Sequence, residues 1–133
     1  MENIKDFLNQ GDHYASTNGI RLTEVHEGFA RAEMKVENRH LNAAGVCQGG
    51  AYFTLADLAF AAVTNSRGIV TLGIQNSITF LQSANEGDTL IAEATETFNH
   101  HRLPFCEIRV TNQNGDLLCV VTGSAYRTKK EWR

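Results

Sequence analysis

Residues 47–66, CQGGAYFTLADLAFAAVTNS, carry a single charged side chain, that of Asp57. Paired glycines stand near the start of this stretch and Gly68 follows its end, which predicts one long helix over about residues 50–66. A helix that is apolar around nearly its whole circumference is typical of a buried element, because water would otherwise meet apolar side chains on every face. The rest of the chain must therefore wrap around this helix.

The remaining sequence supplies strands for that wrapping. Alternating apolar residues predict two strands between residues 19 and 36, joined by a turn at Gly28. Segments rich in β-branched and aromatic residues predict four more strands, over residues 69–80, 89–98, 105–113 and 117–126. Apolar side chains at helical spacing predict a short N-terminal helix over residues 2–14. We therefore predict an α+β fold, in which an antiparallel sheet covers the central helix, as one domain over residues 1–133.

Charge and composition argue against several functional classes. A net charge of −3 without a basic cluster disfavours nucleic acid as a partner. Asp57 interrupts the longest apolar run, so no segment is predicted to span a membrane. Three cysteines, an odd number, and a polar N-terminus predict reduced thiols and a cytoplasmic location. No cysteine or histidine pair has the spacing of metal ligands, so we expect no metal site.

Asp57 is the residue that most needs an explanation. On a helix its neighbours would be uncharged: Phe53, Thr54, Phe60 and Ala61. An apolar setting raises the pKa of a carboxyl group and strips water from it, which prepares a base or a nucleophile. Two structural interpretations stay open at this point, an ion pair with an arginine and a place on a narrow exposed stripe.

Gly49 and Gly50 add a second chemical feature at the start of the same helix. The N–H groups of a first helical turn lack intrahelical acceptors, and glycine leaves them unshielded, so they suit an oxygen that gains negative charge. A tight turn alone would also explain the pair. Together with Asp57, these groups favour acyl transfer, in which N–H groups hold a carbonyl oxygen while the carboxylate attacks or activates water.

The spacing of these two features requires a second chain. Gly49 and Asp57 are eight residues apart. That length of helix spans about 12 Å, so one carbonyl group cannot contact both residues of the same helix. A second copy with its helix antiparallel alongside would bring one chain's Asp57 to the other chain's Gly49. The mechanism therefore predicts a homodimer with two shared sites.

The central segment resembles the signature of the PaaI-like acyl-CoA thioesterases of the hotdog-fold superfamily, roughly N-x-x-G-x-x-H-G-G, then L-A-D and an N-S pair. The matching residues are Asn42, Gly45, Gly49, Gly50, Leu55-Ala56-Asp57 and Asn65-Ser66. SITFLQSANEGDTLIAEA and GDLLCVVTGSAYR resemble later strands of the family, so the resemblance covers residues 19–127. It implies a curved antiparallel sheet around one long helix and homodimers, usually paired into homotetramers. It also implies cytoplasmic hydrolysis of acyl-CoA thioesters, with no cofactor because coenzyme A is part of the substrate.

The resemblance also implies a role for individual residues. Asp57 would be the base or nucleophile, the Gly49 N–H the oxyanion donor, and Asn42 a group that positions the attacking water or the carboxylate. Gln75 falls where the family often has a small polar residue beside the site, and Ser77 is a weaker candidate of the same kind. An ordinary strand residue facing solvent is the alternative for both.

Gln48 departs from the family pattern, which has a histidine before the two glycines. A glutamine amide can still donate an N–H to the thioester oxygen, but it cannot exchange a proton near neutral pH. We expect thioesterase activity to be retained, and the alternative is a non-catalytic acyl-CoA binding protein. A hotdog hydratase is disfavoured, because its D-x-x-x-x-H pattern would place a histidine where this chain has Ala62.

Two further regions are assigned to the substrate. By resemblance, the loop NHHRLP offers His100, His101 and Arg102 to the phosphates of coenzyme A. Arg127 and Lys129 are further candidate cations, and solvated loop charges are the alternative for all of them. Four phenylalanines are candidates for an acyl pocket near Asp57 or the dimer seam: Phe53, Phe60, Phe80 and Phe105. They would accept an aryl-acyl group or a short or medium alkyl chain, and the sequence does not choose between these.

Overall fold

Six antiparallel strands form one sheet in this computed structural model, which describes residues 3–132. The strands are β1 (Ile20–His26), β2 (Phe29–Lys35), β3 (Ile69–Phe80), β4 (Thr89–Phe98), β5 (Phe105–Thr111) and β6 (Leu117–Glu131). Their order across the sheet is β1-β2-β4-β5-β6-β3, so β1 and β3 form its two edges. Each strand starts within one residue of its predicted position, and β6 runs five residues further than predicted.

The central helix α3 (Gly49–Thr64) lies against the inner face of the sheet and contacts all six strands. Its buried side chains include Leu55, Ala56, Leu58, Ala59, Ala62 and Val63. The predicted α+β fold, a curved antiparallel sheet around one long helix, is therefore confirmed. No helix within residues 3–132 is long and apolar enough to cross a membrane.

The N-terminal segment is helical but broken. The single helix predicted over residues 2–14 is instead two helices, α1 (Ile4–Gly11) and α2 (His13–Thr17), and residue 2 lies outside the described residues. The break falls at Asp12, whose side chain caps α2 by accepting a hydrogen bond of 3.0 Å from the N–H of Ala15. An N-cap residue has a non-helical backbone, so α1 cannot continue through it.

Asn65 ends α3 and ties it to two other parts of the chain. Its Nδ2 donates to the carbonyl oxygen of Ala61 at 2.8 Å. Its Oδ1 accepts from the N–H of Thr71 at 2.8 Å and from Nε1 of Trp132 at 2.9 Å. The first residue of the N-S pair therefore has a structural role, fixing the end of the helix against β3 and the C-terminal segment.

The two edges of the sheet differ. At β1, the side chain of Asn9 donates to the Leu22 carbonyl oxygen at 3.0 Å and accepts from the Leu22 N–H at 2.7 Å. At β3, the outer side pairs with no strand of residues 3–132, and Leu72 and Ile74 are 59% and 58% exposed. A long apolar edge strand of this kind favours pairing with another chain.

A buried ion cluster fastens β4 to its surroundings. The Glu96 side chain is only 2% exposed, and its two oxygens accept from Nη2 of Arg67 at 2.7 Å and Nη2 of Arg127 at 3.1 Å. Arg67 follows α3 and Arg127 lies on β6, so this one carboxylate joins three elements. A buried charge is tolerated in a fold when it is paired in this way.

Candidate active site

Asp57 lies on the part of the α3 surface that the sheet leaves uncovered, and its side chain is exposed in the single chain. No hydrogen bond or ion pair joins its carboxylate to any group of residues 3–132. Nearby protein nevertheless keeps part of the water away. This partial burial raises the pKa of Asp57, and the like charge of Asp12 raises it further. The interpretation as an ion pair is therefore excluded, and the carboxylate is accessible and uncompensated.

The first turn of α3 offers one open N–H group rather than two. Gln48 is the N-cap, and its own Oε1 accepts from the N–H of Gly50. The N–H of Gly49 donates to no acceptor within residues 3–132. The cap also orients the Gln48 amide, because binding Oε1 to Gly50 turns the NH₂ group away from the helix.

A cavity of about 380 Å³ opens beside Gly49. Asn42 and Phe80 also line it, and a Cβ atom added to Gly49 would lie 3.2 Å from the Phe80 ring. The Oδ1 of Asn42 accepts from the N–H groups of Ala44 and Val46 at 2.9 and 3.2 Å, which holds the preceding loop in place. The predicted residues Asn42 and Gly49 therefore share one cavity, and Phe80, one of the four candidate phenylalanines, lines it with them.

A second cavity, of about 290 Å³, also opens at the start of α3 and is lined by Gln48, Gly50 and Thr54. His40 also lines it, although no sequence pattern marks this residue as functional. Its Nδ1 accepts from the Glu37 N–H at 2.9 Å, and its Nε2 contacts a main-chain oxygen at 2.8 Å. Both ring nitrogens of His40 therefore contact backbone groups. For this reason His40 does not take over the role of the family histidine, whose position is occupied here by Gln48.

Gln75 and Ser77 are not brought to Asp57. They pair with Ser124 and Thr122 and line a depression on the outer face of the sheet, the face turned away from α3. Phe105 lies in the same depression. A bulge in β3 between Gly73 and Gln75 causes this placement, because one extra residue reverses which side chains face inward. Their expected place beside the catalytic carboxylate is thus corrected.

The loop between β4 and β5 presents His101 and Arg102 on a fixed backbone. Nδ1 of His100 accepts from the N–H groups of Arg102 and Leu103 at 3.1 and 3.0 Å. Arg127 supports the same loop by donating to the His100 carbonyl oxygen at 3.1 Å. Because Arg127 is committed to this loop and to the buried ion cluster, it is not a free cation for coenzyme A, contrary to its candidate role.

Cys47 is buried near Gly49 and is not prepared for nucleophilic attack. Burial raises the pKa of its thiol to about 11, although a hydrogen bond with Tyr52 opposes the shift. All three cysteines are buried and unpaired. No group of three or more potential ligand side chains within residues 3–132 is arranged to hold a metal ion.

Comparison with known proteins places this geometry in a family. Residues 44–119 match the family described as Thioesterase superfamily. A putative esterase from Archaeoglobus fulgidus is 39% identical over 132 residues, which cover 99% of this chain and 86% of that protein. The acyl-coenzyme A thioesterase PaaI of Escherichia coli is 33% identical over 118 residues, 89% of this chain and 84% of the relative.

Two solved structures extend the comparison to the fold. The structure of the E. coli PaaI protein superposes with a TM-score of 0.91 at 31% identity, covering 95% of this chain and 91% of that one. A Streptococcus mutans protein bound to acetyl CoA superposes with a TM-score of 0.80 at 26% identity, covering 85% and 91%.

A six-stranded sheet curled around one helix, with similarity to thioesterases over nearly the whole chain, defines the hotdog fold. Within that class, the chain belongs to the Thioesterase superfamily and is PaaI-like. The predictions of this family and of a thioester hydrolase are therefore confirmed.

Proposed function

We propose that the protein hydrolyses aryl-acyl or short- to medium-chain acyl-CoA thioesters, with Asp57 as base or nucleophile and the Gly49 N–H as oxyanion donor. One observation carries the proposal: the accessible, unpaired carboxylate of Asp57 stands on the same apolar helix as the open N–H of Gly49. As the thioester carbonyl carbon is attacked, charge grows on its oxygen, and a fixed N–H stabilises that charge more than it stabilises the ground state.

The proposed site is shared between two chains. Eight residues of α3 separate Gly49 from Asp57, about 12 Å along the axis, which one carbonyl group cannot bridge. The apolar outer edge of β3 lies beside α3 and is suited to pair with a second copy about a two-fold axis. Such a pair sets the two α3 helices antiparallel, so that each site combines Asp57 of one copy with Gly49 of the other. Pairing of dimers into tetramers stays a prediction.

Gln48 and Asn42 serve as polar partners in this proposal. Because the Gln48 oxygen caps Gly50, its NH₂ group is the part left to donate to the thioester oxygen. Asn42 has its oxygen bound within its own loop, which leaves its NH₂ group for the water or the carboxylate. Neither amide exchanges protons, so Asp57 must supply the acid–base chemistry, and no cofactor is required.

The nucleotide end of the substrate is assigned to the loop that carries His101 and Arg102. This loop is tied through Arg127 and Glu96 to Arg67, just beyond the end of α3. In an antiparallel pair of helices, that end lies near the start of the partner's α3. Acetyl CoA in the Streptococcus mutans relative supports a coenzyme A thioester as the substrate. A cytoplasmic location stays a prediction of the same proposal.

A panel of acyl-CoA substrates tests the activity. We expect thiol release from at least one aryl-acyl or short- to medium-chain substrate, and a fall in kcat of about 100- to 10,000-fold in Asp57→Asn. Asp6→Asn, an exposed carboxylate on α1, is the matched control and keeps full activity. Tight binding of a non-hydrolysable acyl-CoA analogue, with no thiol released from any hydrolysable substrate of the panel, would instead favour the non-catalytic binder that the replacement of a histidine by Gln48 suggests.

A pair of substitutions at Gly49 tests the oxyanion donor. Gly49→Pro removes the N–H and adds ring carbons beside Phe80, and proline is well accepted at the first position of a helix. The preceding Gln48 has φ −72° and ψ 141°, which a following proline permits. Gly49→Ala keeps the N–H but makes the same contact with Phe80, so it controls for bulk. We expect kcat to fall about 100- to 1,000-fold more in the proline variant than in the alanine variant; equal losses would remove Gly49 from the mechanism.

A further inference from the structure

The bulge in β3 turns a residue toward the helix that the sequence did not single out. Gly73 pairs with Ala125, but Gln75 pairs with Ser124 and Asn76 with Gly123. Ala125 and Gly123 are buried on the inner face, so Asn76 is directed inward and Gln75 outward. Asn76 is therefore a polar side chain of the edge strand that faces α3.

Asn76 stands level with the middle of the central helix. β3 begins beside the end of α3, where the Thr71 N–H bonds to Asn65. It finishes beside the start of α3, where the Phe80 ring lies against Gly49. Asn76 lies about midway between these two points, which is the height of Asp57 on the helix.

The side-chain amide of Asn76 makes no hydrogen bond within the described part of the chain. Its Oδ1 is fully buried and accepts no hydrogen bond from residues 3–132, while its Nδ2 is not enclosed in the same way. The oxygen lies over Gly123, where any Cβ atom would collide with it and with the ring of Phe60. A buried carbonyl oxygen without a donor destabilises a fold, so such groups point to a functional constraint.

Two unpaired and complementary groups therefore stand at the same height. Among residues 3–132, no donor reaches the carboxylate of Asp57 and no acceptor reaches the NH₂ group of Asn76. Phe60, which packs beside Asn76 over Gly123, follows Asp57 by about one helical turn. We propose that Asn76 is a positioning residue that donates an N–H to Asp57 in the working enzyme and so orients the carboxylate toward the thioester. This inference rests on the proposed function.

The facing groups determine how Asp57 would respond. From the N-terminal helices, Asp12 presents a like charge to Asp57. From β3, the facing polar group is the uncharged Asn76. An N–H donated to the ionised form favours that form, so loss of the Asn76 amide raises the pKa of Asp57.

Asn76→Leu removes the amide at nearly constant volume, and Gln75→Leu on the outward side is the matched control. For Asn76→Leu we expect kcat to fall about 10- to 100-fold with KM nearly unchanged. The acid limb of the kcat/KM profile should move to higher pH, and the melting temperature should hold or rise because a buried unpaired oxygen is gone. Gln75→Leu leaves both kinetic quantities unchanged.

Carboxyl-carbon NMR titration of Asp57, assigned by difference with Asp57→Asn, gives a second readout that needs no turnover. An Asp57 titration that moves to higher pH in Asn76→Leu but not in Gln75→Leu supports the inference. An Asp57 titration that is unchanged in Asn76→Leu overturns the inference. If that variant instead melts at a lower temperature or loses self-association while the titration stays the same, Asn76 has only a structural role. If the wild-type protein hydrolyses no acyl-CoA, the proposed function fails by that result alone, separately from the titration.

Discussion

Asp57 and Glu96 are both carboxylates from which the protein excludes water, Asp57 in part and Glu96 almost fully, but among residues 3–132 only Glu96 is paired with cations. Glu96 is almost fully buried, yet two guanidinium groups neutralise it, so it behaves as a structural anchor. Asp57 is more accessible, yet nothing in residues 3–132 neutralises it, and its pKa is raised. Pairing with an opposite charge, more than the extent of burial, therefore separates a carboxylate that stabilises the fold from one that is prepared for catalysis.

Glu96→Gln gives the largest expected effect on stability. It removes the counter-charge of the largely buried Arg127 and leaves Arg67 only its longer pair with the exposed Glu27, at 3.6 Å. We therefore expect the free energy of unfolding to fall by about 3–5 kcal/mol, measured by urea denaturation. The matched control is Glu93→Gln, which breaks a half-exposed pair with Arg31 and is expected to cost about 0–1 kcal/mol. Similar losses in the two variants would contradict the anchoring role of Glu96.

Asp57→Asn is expected to change stability in the opposite direction. The folded chain holds the Asp57 proton more tightly than the unfolded chain does, so stability falls as pH rises from the ordinary value of 3.8 through the raised pKa. Activity rises over the same interval, because the base must be ionised. Asn at this position should therefore raise the free energy of unfolding at pH 7 and flatten its pH dependence. Denaturant titrations from pH 3 to 8 measure both; a less stable variant at pH 7 would show that the carboxylate is paired after all.

Asp12→Asn gives the smallest expected effect. It removes the like charge that faces Asp57, while an asparagine side chain keeps the N-cap of α2. The acid limb of the kcat/KM profile should shift slightly to lower pH, with stability nearly unchanged. Asp116→Asn, in the turn between β5 and β6, serves as the control. A limb that stays in place would leave burial as the sole cause of the raised pKa.

Local sequence patterns predicted the fold well, because α3 and the strands coincide with apolar segments and glycines mark the turns between them. The break at Asp12 was not predicted, because a helix cap changes the backbone at one residue and leaves the helical spacing of the apolar residues around it intact. The outward placement of Gln75 was not predicted either, because one extra residue in a bulge reverses the inward–outward alternation. Gly73 flanks that bulge, but a glycine inside a strand suggests a bulge without fixing which of the following side chains point inward.

The candidate site was predictable only in part for a different reason. Asp57 and Gly49 belong to one continuous sequence motif, so their positions in that motif were enough to predict that both belong to the site. The sequence does not show that Arg127 is paired, because its partner Glu96 lies 31 positions earlier. The register of the sheet brings these two residues together, and the sequence alone does not give that register. Asn76 gave no signal, since its significance depends on the glycine opposite it on β6.

The unequal edges of the sheet also limit how large an assembly can grow by strand addition. Joining two copies through β3 leaves only β1 at either end of the enlarged sheet, and there the main-chain groups of Leu22 are already occupied by Asn9. In the proposed dimer, β1 would therefore offer a third copy a poorer edge than β3 offers the second, which disfavours growth by strand addition. A single asparagine on a short helix thus occupies main-chain groups that another strand would need.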